Sequence, residues 1–319
     1  MTVLVLGAGV IGVTAAWFLR AAGHEVRVVE RREAAALESS FANAGQVSAH
    51  LADPWSNPST LRQLPKWLLQ ADAPLVWRPR LDPGQWRWLA LFLRECNRER
   101  YARNLLHLAN IGLYSRETLR ELRRETGIAY DFHQGGILLF QTDPAAFDQS
   151  AAAARRLEAH GLKRRVCTRE ECVAIEPALA HMKERIAGGI YSPHDETGDA
   201  HQFAQALAKL GAERGIRFDY GVAVKRLVVE GGEAKGAEVE HADGRREVLR
   251  ADHTVVCTGP HSARLLAPVG VRVHIYPVKG YSITMPIVDE AKALRIGITD
   301  AAVKVAFSRL GDRIRATST

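Results

Sequence analysis

The sequence predicts an α/β fold in two parts: a Rossmann-like parallel βαβ domain and a second, mixed α+β domain. Three observations carry this expectation. An apolar, β-rich run, Thr2-Val3-Leu4-Val5-Leu6, leads directly into Gly7-Ala8-Gly9-Val10-Ile11-Gly12. The small residues Ala15 and Ala16 then open a helical pattern to about Ala22, and a second apolar strand, Val26 to Val29, ends on an acid, Glu30. After Glu30 the simple alternation stops. A proline-rich insertion, a long helical region and two short strands intervene before the nucleotide-binding half resumes after about residue 200, so the second domain is interleaved with the first.

Each piece of the opening segment has a physical task. Val3, Leu4, Val5 and Leu6 form the strand that delivers the turn. Gly7 permits the tight turn, Ala8 and Gly9 let backbone approach a pyrophosphate, and Gly12 brings helix and strand close. Val10 and Ile11 open the helix, whose N-terminus offers unpaired N–H groups and a positive dipole end to phosphates. Glu30 is placed to accept hydrogen bonds from a ribose hydroxyl pair. Arg31 and Arg32 could favour a 2′-phosphate, but Glu30 would repel one, so FAD or NAD is expected over NADP. The alternative is a glycine turn serving packing alone. It accounts for Gly12 and leaves Gly9 and Glu30 unexplained.

The remaining elements follow in order. A loop of small and amide residues runs from Ser39 through Asn43, Ala44, Gly45 and Gln46 to Val47. A helix is expected from about Tyr101 to Glu125, then two short strands flanking Gly135-Gly136 between Tyr130 and Phe140. Asp143-Pro144 is a helix start that should carry to His160-Gly161, and Thr168-Arg169-Glu170-Glu171 is a capping box. A helix from Ala200 to Arg214 leads to a strand region reaching Val224. A meander follows, turned at Gly231-Gly232 and Asp243-Gly244. The apolar strand from Ala251 to Cys257 ends on Thr258-Gly259, small residues that let a ligand pass close to the backbone. Val271 to Met285 alternates as one or two strands. The domains are expected at 1–50 plus about 200–268 for nucleotide binding, and about 51–199 plus 269–319 for substrate.

Composition narrows the function classes. With 319 residues and 47% hydrophobic content, the chain can bury a substantial core. No apolar stretch reaches the length of a membrane span, and no basic leader precedes the first strand, so a cytoplasmic protein is expected. Cys96, Cys167, Cys172 and Cys257 form no C-x-x-C pair and no His/Cys cluster at zinc spacing, so they read as reduced thiols and no metal site is expected. The formal charge of +7 is dispersed. Arg116 to Arg124 interleave with glutamates in the manner of a solvated helix face, which argues against nucleic acid. Between Lys66 and Arg103, Trp67, Trp77, Trp86 and Trp88 sit among basic residues, a pattern that suits a membrane interface. Packing of those tryptophans in a core is the competing reading. His194, Asp195, Glu196 and Asp199 read as a polar loop capping the next helix rather than as metal ligands, and His133 as a strand-end histidine.

Several stretches together resemble the small-subunit family of FAD-dependent D-amino-acid dehydrogenases, within the wider D-amino-acid oxidase and glycine oxidase-like flavoproteins. They are Gly7 to Gly12, Ala34 to Ser40 with Ala42-Asn43-Ala44-Gly45-Gln46, and Gln134-Gly135-Gly136. Others are Glu176-Pro177-Ala178-Leu179, Asp195-Glu196-Thr197-Gly198-Asp199, Tyr276-Pro277-Val278-Lys279-Gly280-Tyr281-Ser282 and Asp312-Arg313-Ile314-Arg315. The Ala-Asn-Ala-Gly-Gln and Pro-Val-Lys-Gly-Tyr-Ser stretches are the specific ones.

The resemblance implies FAD, oxidative deamination of a D-amino acid to a 2-oxo acid and ammonia, and a respiratory electron acceptor, a quinone, met peripherally at the inner membrane. It implies that Ser39, Asn43, Ala44, Gly45 and Gln46 line the route to the flavin. Val224 would meet the adenine through its backbone, and Thr258 and Gly259 would flank the cofactor. No catalytic side chain is singled out, because the flavin carries the chemistry. Family members continue past the point matched by Arg313-Ile314-Arg315, with a carboxylate-binding arginine and a second glycine-rich segment. The sequence therefore reads as truncated, with Arg309, Arg313 and Arg315 on a hairpin left with an unpaired edge, and weak FAD retention and little turnover are expected. Three functions remain in view: a D-amino-acid dehydrogenase or a related glycine or sarcosine oxidase-like enzyme, a non-catalytic FAD-binding remnant, and an NAD-dependent oxidoreductase. The long insertion after Glu30 argues against the last.

Overall fold

A computed structural model describes residues 1–49, 53–61, 78–158 and 162–318. In chain order its first elements are β1 (Thr2–Leu6), α1 (Val10–Ala21), β2 (Glu25–Glu30), β3 (Gln46–Val47), α2 (Pro83–Glu95) and α3 (Arg98–Thr126). Then come β4 (Ile137–Gln141), α4 (Pro144–Glu158), β5 (Arg165–Cys167), α5 (Arg169–Ile175), β6 (Gly188–Ser192), β7 (Glu196–Thr197) and α6 (Ala200–Glu213). The last part holds β8 (Arg217–Tyr220), β9 (Val222–Glu230), β10 (Glu233–His241), β11 (Arg246–Arg250), β12 (His253–Val256) and α7 (Ser262–Leu266). It closes with β13 (Tyr281–Pro286), β14 (Gly297–Asp300), β15 (Val305–Leu310) and β16 (Arg313–Ser318).

The chain divides into two compact units: Met1–Asn43 with Ile128–Tyr130 and Asp199–Pro277, and Ala44–Gly127 with Asp131–Gly198 and Val278–Thr319. The first boundary falls after Asn43 rather than near residue 50, and the last after Pro277 rather than near 268.

The first unit holds a parallel sheet in the order β12-β1-β2-β8. β1 is central, with Val3 to Leu6 buried on both faces as a parallel interior strand requires. Leu4, Leu6 and Val29 pack with Leu227, Ala237, Val239 and Leu249 of the β9–β10–β11 meander. Burying each such leucine stabilises the fold by roughly 1.5–3 kcal/mol. Helix α1 packs against α6, and its Trp17 lies under the Arg214 guanidinium, 4.2 Å from the ring centre.

The second unit is built on a seven-stranded sheet, β13-β16-β15-β14-β4-β6-β5. Its core joins Leu138, Phe140, Ile298, Ile186 and Cys172. Both helix starts expected here form. Asp143 accepts from the Ala146 N–H at 2.9 Å, and Thr168 with Glu171 makes a complete capping box. The end expected for α4 at His160-Gly161 lies outside the described residues. α3 starts on Asn97 and stops at Gly127 in the left-handed conformation (φ 64°).

Three expectations need correction. Only one strand, β4, forms around the glycine pair. Residues 130–134 contribute a single bridge, His133 to Thr197, because the turn at Gly135-Gly136 sends β4 to β14 and β6 instead. Of Val271 to Met285, only Tyr281 onward is strand; residues 271–280 pair with no strand, and 271–277 belong to the first unit. The β15–β16 hairpin is not left with an open edge at β16. That strand pairs with β15 on one side and β13 on the other, so the sheet edge is β13, with Tyr281, Ile283 and Met285 exposed.

Candidate functional site

The glycine turn between β1 and α1 is fixed by its backbone. Gly7 sits at φ +103°, where a Cβ would lie 2.7 Å from the Cys257 carbonyl oxygen, and its N–H donates to Val29 O at 2.8 Å. A Cβ on Gly12 would run into the Gly7 carbonyl oxygen. Gly9 differs. It is the N-cap of α1 at an ordinary φ of −68°, and its missing Cβ would meet only Ser40 Oγ, at 3.5 Å. So Gly7 and Gly12 are needed for the fold, whereas Gly9 keeps open the space over the helix N-terminus. No side chain caps α1 from Gly9, and the first-turn N–H groups have no intrahelical acceptor. That cradle suits an anionic, phosphate-bearing ligand.

Ser40 is the residue that motif reading missed. Its hydroxyl accepts from the Val10 N–H at 3.1 Å and is buried, whereas Ser39, singled out from the motif, is exposed. A serine in a loop of small residues gives no positional signal by itself.

Glu30 is buried at the end of β2. One carboxylate oxygen accepts from the Ala8 N–H at 2.8 Å and the other from the Arg32 N–H at 3.0 Å. It thus holds the glycine turn directly and keeps lone pairs for a further donor. Arg31 and Arg32 both pair with Glu38. Burial pushes the Glu38 carboxyl up, but hydrogen bonds from Arg31 and Arg32 outweigh it and set it below the usual carboxylate range. The two arginines are therefore occupied, which lowers their appeal for a 2′-phosphate. Arg31 also donates to His261 Nε2 at 3.0 Å. Thr258 stands behind Gly7 and bonds Ser262 Oγ at 3.1 Å, and Gly259 has φ +53°. Val224 lies on β9 opposite Val239 and half-buried against the core of this unit.

Ala44, Gly45 and Gln46 fall in the second unit. Gly45 (φ +65°) approaches Gly198 so closely that a Cβ would sit 2.8 Å from its carbonyl oxygen. The Gly198 N–H donates to Gly45 O at 2.7 Å, Ser308 Oγ donates to Ala44 O at 2.6 Å, and Gln46 Nε2 donates to Ile298 O at 3.3 Å. β3 pairs with β7, setting Gln46 opposite Thr197 and Val47 opposite Glu196.

The loop before α6 behaves as read at its end: Asp199 accepts from the His201 and Gln202 N–H groups. The arginines of α3 do not. Arg116 is buried and pairs with Asp195 at 3.6 Å; Arg120 and Arg123 both bind buried Glu196. This face is an ion-pair seam, not a solvated surface. Of the terminal arginines, Arg309 pairs with Glu290 at 2.6 Å and Arg313 with Asp131 at 3.0 Å. Arg315 is buried and donates to Thr284 Oγ1 at 3.0 Å.

Trp67, Trp77 and Lys66 lie outside the described residues. Trp86 is half exposed and donates to Arg80 O at 2.9 Å, and Trp88 stacks on Phe92, so neither described tryptophan on α2 is core. No helix among the described residues is long and apolar enough to cross a membrane.

Comparison with known proteins gives a consistent account. A family described as FAD dependent oxidoreductase (DAO) matches residues 2–319. The D-amino acid dehydrogenase of Paramagnetospirillum magneticum is 47% identical over 320 residues, which cover 100% of this chain and 75% of the relative. That of Methylobacterium sp. is 47% identical over 319 residues with the same shares. Among solved structures, glycine oxidase from Geobacillus kaustophilus aligns with a TM-score of 0.72 at 22% identity, covering 99% of this chain and 70% of that one. L-proline dehydrogenase from P. horikoshii aligns at 0.67 and 19% identity, with shares of 99% and 68%. At such identities the solved structures speak to the fold alone.

Proposed function

The chain belongs to the FAD-dependent oxidoreductase family, and from that premise we propose that it is a D-amino-acid dehydrogenase. The substrate loses a hydride from Cα and a proton from the amine, and water hydrolyses the resulting imine to a 2-oxo acid and ammonia. The observation that carries this reading is the 47% identity to D-amino acid dehydrogenases along the whole chain.

When bound, FAD supplies the two-electron acceptor that no amino-acid side chain offers. The residues present fit it. The cradle over Gly7 to Gly12, open at Gly9, takes the pyrophosphate, with Val3 to Leu6 as the rigid strand behind it. Glu30 keeps acceptor capacity for the adenosine ribose, with Arg31 and Arg32 beside it. Ser39 and Asn43 follow along the chain, Val224 would offer backbone to the adenine, and Thr258 and Gly259 would flank the cofactor. Ala44, Gly45 and Gln46 are assigned to the flavin end; their conformation is fixed by Gly198, Ser308 and Ile298 as described above. Their task is to hold the cofactor still. Misplacement of the reacting atoms by about 1 Å can cost on the order of a hundredfold in rate.

The electron acceptor we assign is a respiratory quinone, reached from the cytoplasmic face of the inner membrane by peripheral contact. Exposed Trp86 on α2, with Arg87 and Arg94 on the same helix, supports this reading. Flotation with anionic liposomes tests it: no binding at low salt removes the membrane from the proposal.

A visible absorption spectrum of the purified 319-residue protein tests the main reading. Flavin bands that bleach anaerobically on addition of D-alanine are the expected result. Bands that persist identify a non-catalytic FAD-binding protein, and a colourless protein overturns the cofactor assignment. Bleaching by glycine or sarcosine in preference to D-alanine moves the substrate toward that of a glycine oxidase-like enzyme, a reading kept because glycine oxidases share the fold.

A further inference from the structure

The ion-pair seam on α3 has no role in the reading above, and its cost in buried charge calls for one. Glu196 is 1% exposed. It is gripped by Arg120, by Arg123 at 2.8 Å and by Gln134 at 3.2 Å. Burial pushes its carboxyl up, but the hydrogen bonds from Arg123, Arg120 and Gln134 overcome this and hold it below the usual range. Asp195 is fully buried beside it, accepting from Ser48 Oγ at 3.2 Å and facing Arg116. Residues 116, 120 and 123 fall on one face of α3, one helical turn apart. Two adjacent buried acids thus meet a row of arginines.

These acids stand at the head of β7, and β7 is the strand that holds β3. The ladder between them is two residues long, with Glu196 opposite Val47 and Thr197 opposite Gln46. Continuing from it, Gly198 N–H holds Gly45 O, and Thr197 Oγ1 donates to Arg309 O at 3.4 Å. A ladder this short has little rigidity of its own. Its position is set by what fixes β7: the backbone bridge of Thr197 to His133 on one side and the charge-assisted grip of α3 on Glu196.

We propose that Glu196, held by Arg120 and Arg123, is a positioning residue that fixes the Ala44–Val47 segment and, through it, the bound flavin. The proposal rests on the assignment of Ala44 to Gln46 to the flavin end of FAD. A purely hydrophobic contact of similar volume would pack β7 against α3 as well or better. What the charged pairs add is direction, because a carboxylate shared by two guanidinium groups has few orientations that satisfy both.

The test uses the full-length protein loaded with FAD, with two readouts that do not need turnover: the dissociation constant for FAD by fluorescence titration and the visible-region circular dichroism of the flavin band. Glu196→Gln keeps the size and removes the charge. Arg120→Lys is a milder partner variant at a partly exposed side chain. Both are expected to change the flavin dichroism and to weaken FAD binding by about tenfold, the lower end of what lost supporting shells cost elsewhere. Glu196→Asp, which restores the charge, is expected to recover part of the signal. A lowered melting temperature with unchanged dichroism and FAD affinity would overturn the proposal, since it leaves the acid a merely structural role. Gly45→Ala separates the two claims. If it alters the flavin signal and Glu196→Gln does not, the positioning role falls and the flavin assignment stands. If neither variant alters it, both fall.

Discussion

Two short stretches of this chain are held in fixed conformations by opposite means. The turn from Gly7 to Gly12 is set by backbone: a positive φ, an excluded Cβ, a hydrogen bond to Val29, and the N–H groups of a helix start. The stretch from Ala44 to Val47 has some backbone restraint at Gly45, but its strand partner is anchored by the His133 bridge and by side-chain charge arriving from α3, more than 70 residues away in sequence. The first device is built from backbone, chiefly within residues 7–30, with the Cys257 carbonyl closing one side. The second depends on several separate segments being in place together. Backbone restraint tolerates most side-chain changes, whereas assembled restraint passes distant changes on to the segment it holds.

The largest effects should come from the glycines, and they should split. Gly12→Val collides with the Gly7 carbonyl and is expected to leave no soluble folded protein. A Cβ at Gly9 would meet only Ser40 Oγ, at 3.5 Å, so in Gly9→Val far-UV circular dichroism should remain native while FAD retention falls at least about a hundredfold, an effect of blocked phosphate approach. Full flavin stoichiometry in folded Gly9→Val would break the comparison at its stronger end.

Next in size is the charged seam. Glu196→Gln leaves two arginines without their shared acid and should cost about 3 kcal/mol in urea melts at pH 7, as breaking a buried pair does. The sign of the pH dependence follows from the depressed carboxyl. Its stabilisation is complete above the ordinary value of 4.5 and is lost as pH falls through the lower value it has in the fold. The gap between wild type and variant should therefore be widest near neutrality and close in acid. A gap that widened below pH 4 would contradict this.

Ser40→Ala should be milder. The Val10 N–H loses its acceptor, for a loss of about 1 kcal/mol, and FAD binding should weaken only a few-fold because the cradle itself is backbone. The smallest effect concerns thiols. Burial pushes Cys172 up to about 12 and also raises Cys257 beside the turn. Iodoacetamide at pH 8 should label both far more slowly than a free thiol, with Cys172 the slower. Rapid labelling of Cys172 would mean that the core of the second unit opens readily.

The same contrast explains what the sequence disclosed. The βαβ start, the acid at 30, the caps at Asp143, Thr168 and Asp199, and the meander turns were legible because each has its physical reason within a few residues. The solvated face expected over Arg116 to Arg124 holds for exposed Arg124 and fails for Arg116, Arg120 and Arg123, because their glutamate neighbours on α3 look like sufficient partners while Asp195 and Glu196 lie outside that helix. Ser40 was passed over for Ser39 since only the folded loop decides which hydroxyl turns inward. Alternation from Val271 suggested strand, yet pairing begins at Tyr281, where β16 supplies a partner. The family resemblance supplied what local physics could not: the cofactor and the class of reaction.

The parallel sheet of the first unit has a consequence for how the molecule is made. β1 and β2 are neighbours in sequence, but their outer partners are not. Arg27 on β2 pairs with Asp219 on β8, 192 residues later, and Thr2 meets Asp252 across 250. At about 5–20 residues per second of synthesis, the ribosome needs on the order of ten seconds or more between the two halves of that sheet. Through that interval the apolar flanks of β1 and β2 have no outer strands to pair with, and the first two segments of the second unit, Ala44–Gly127 and Asp131–Gly198, must be spun out between them. The Gly7–Gly12 turn is encoded first and its sheet completed late, so its assembly waits on strands made near the other end of the chain.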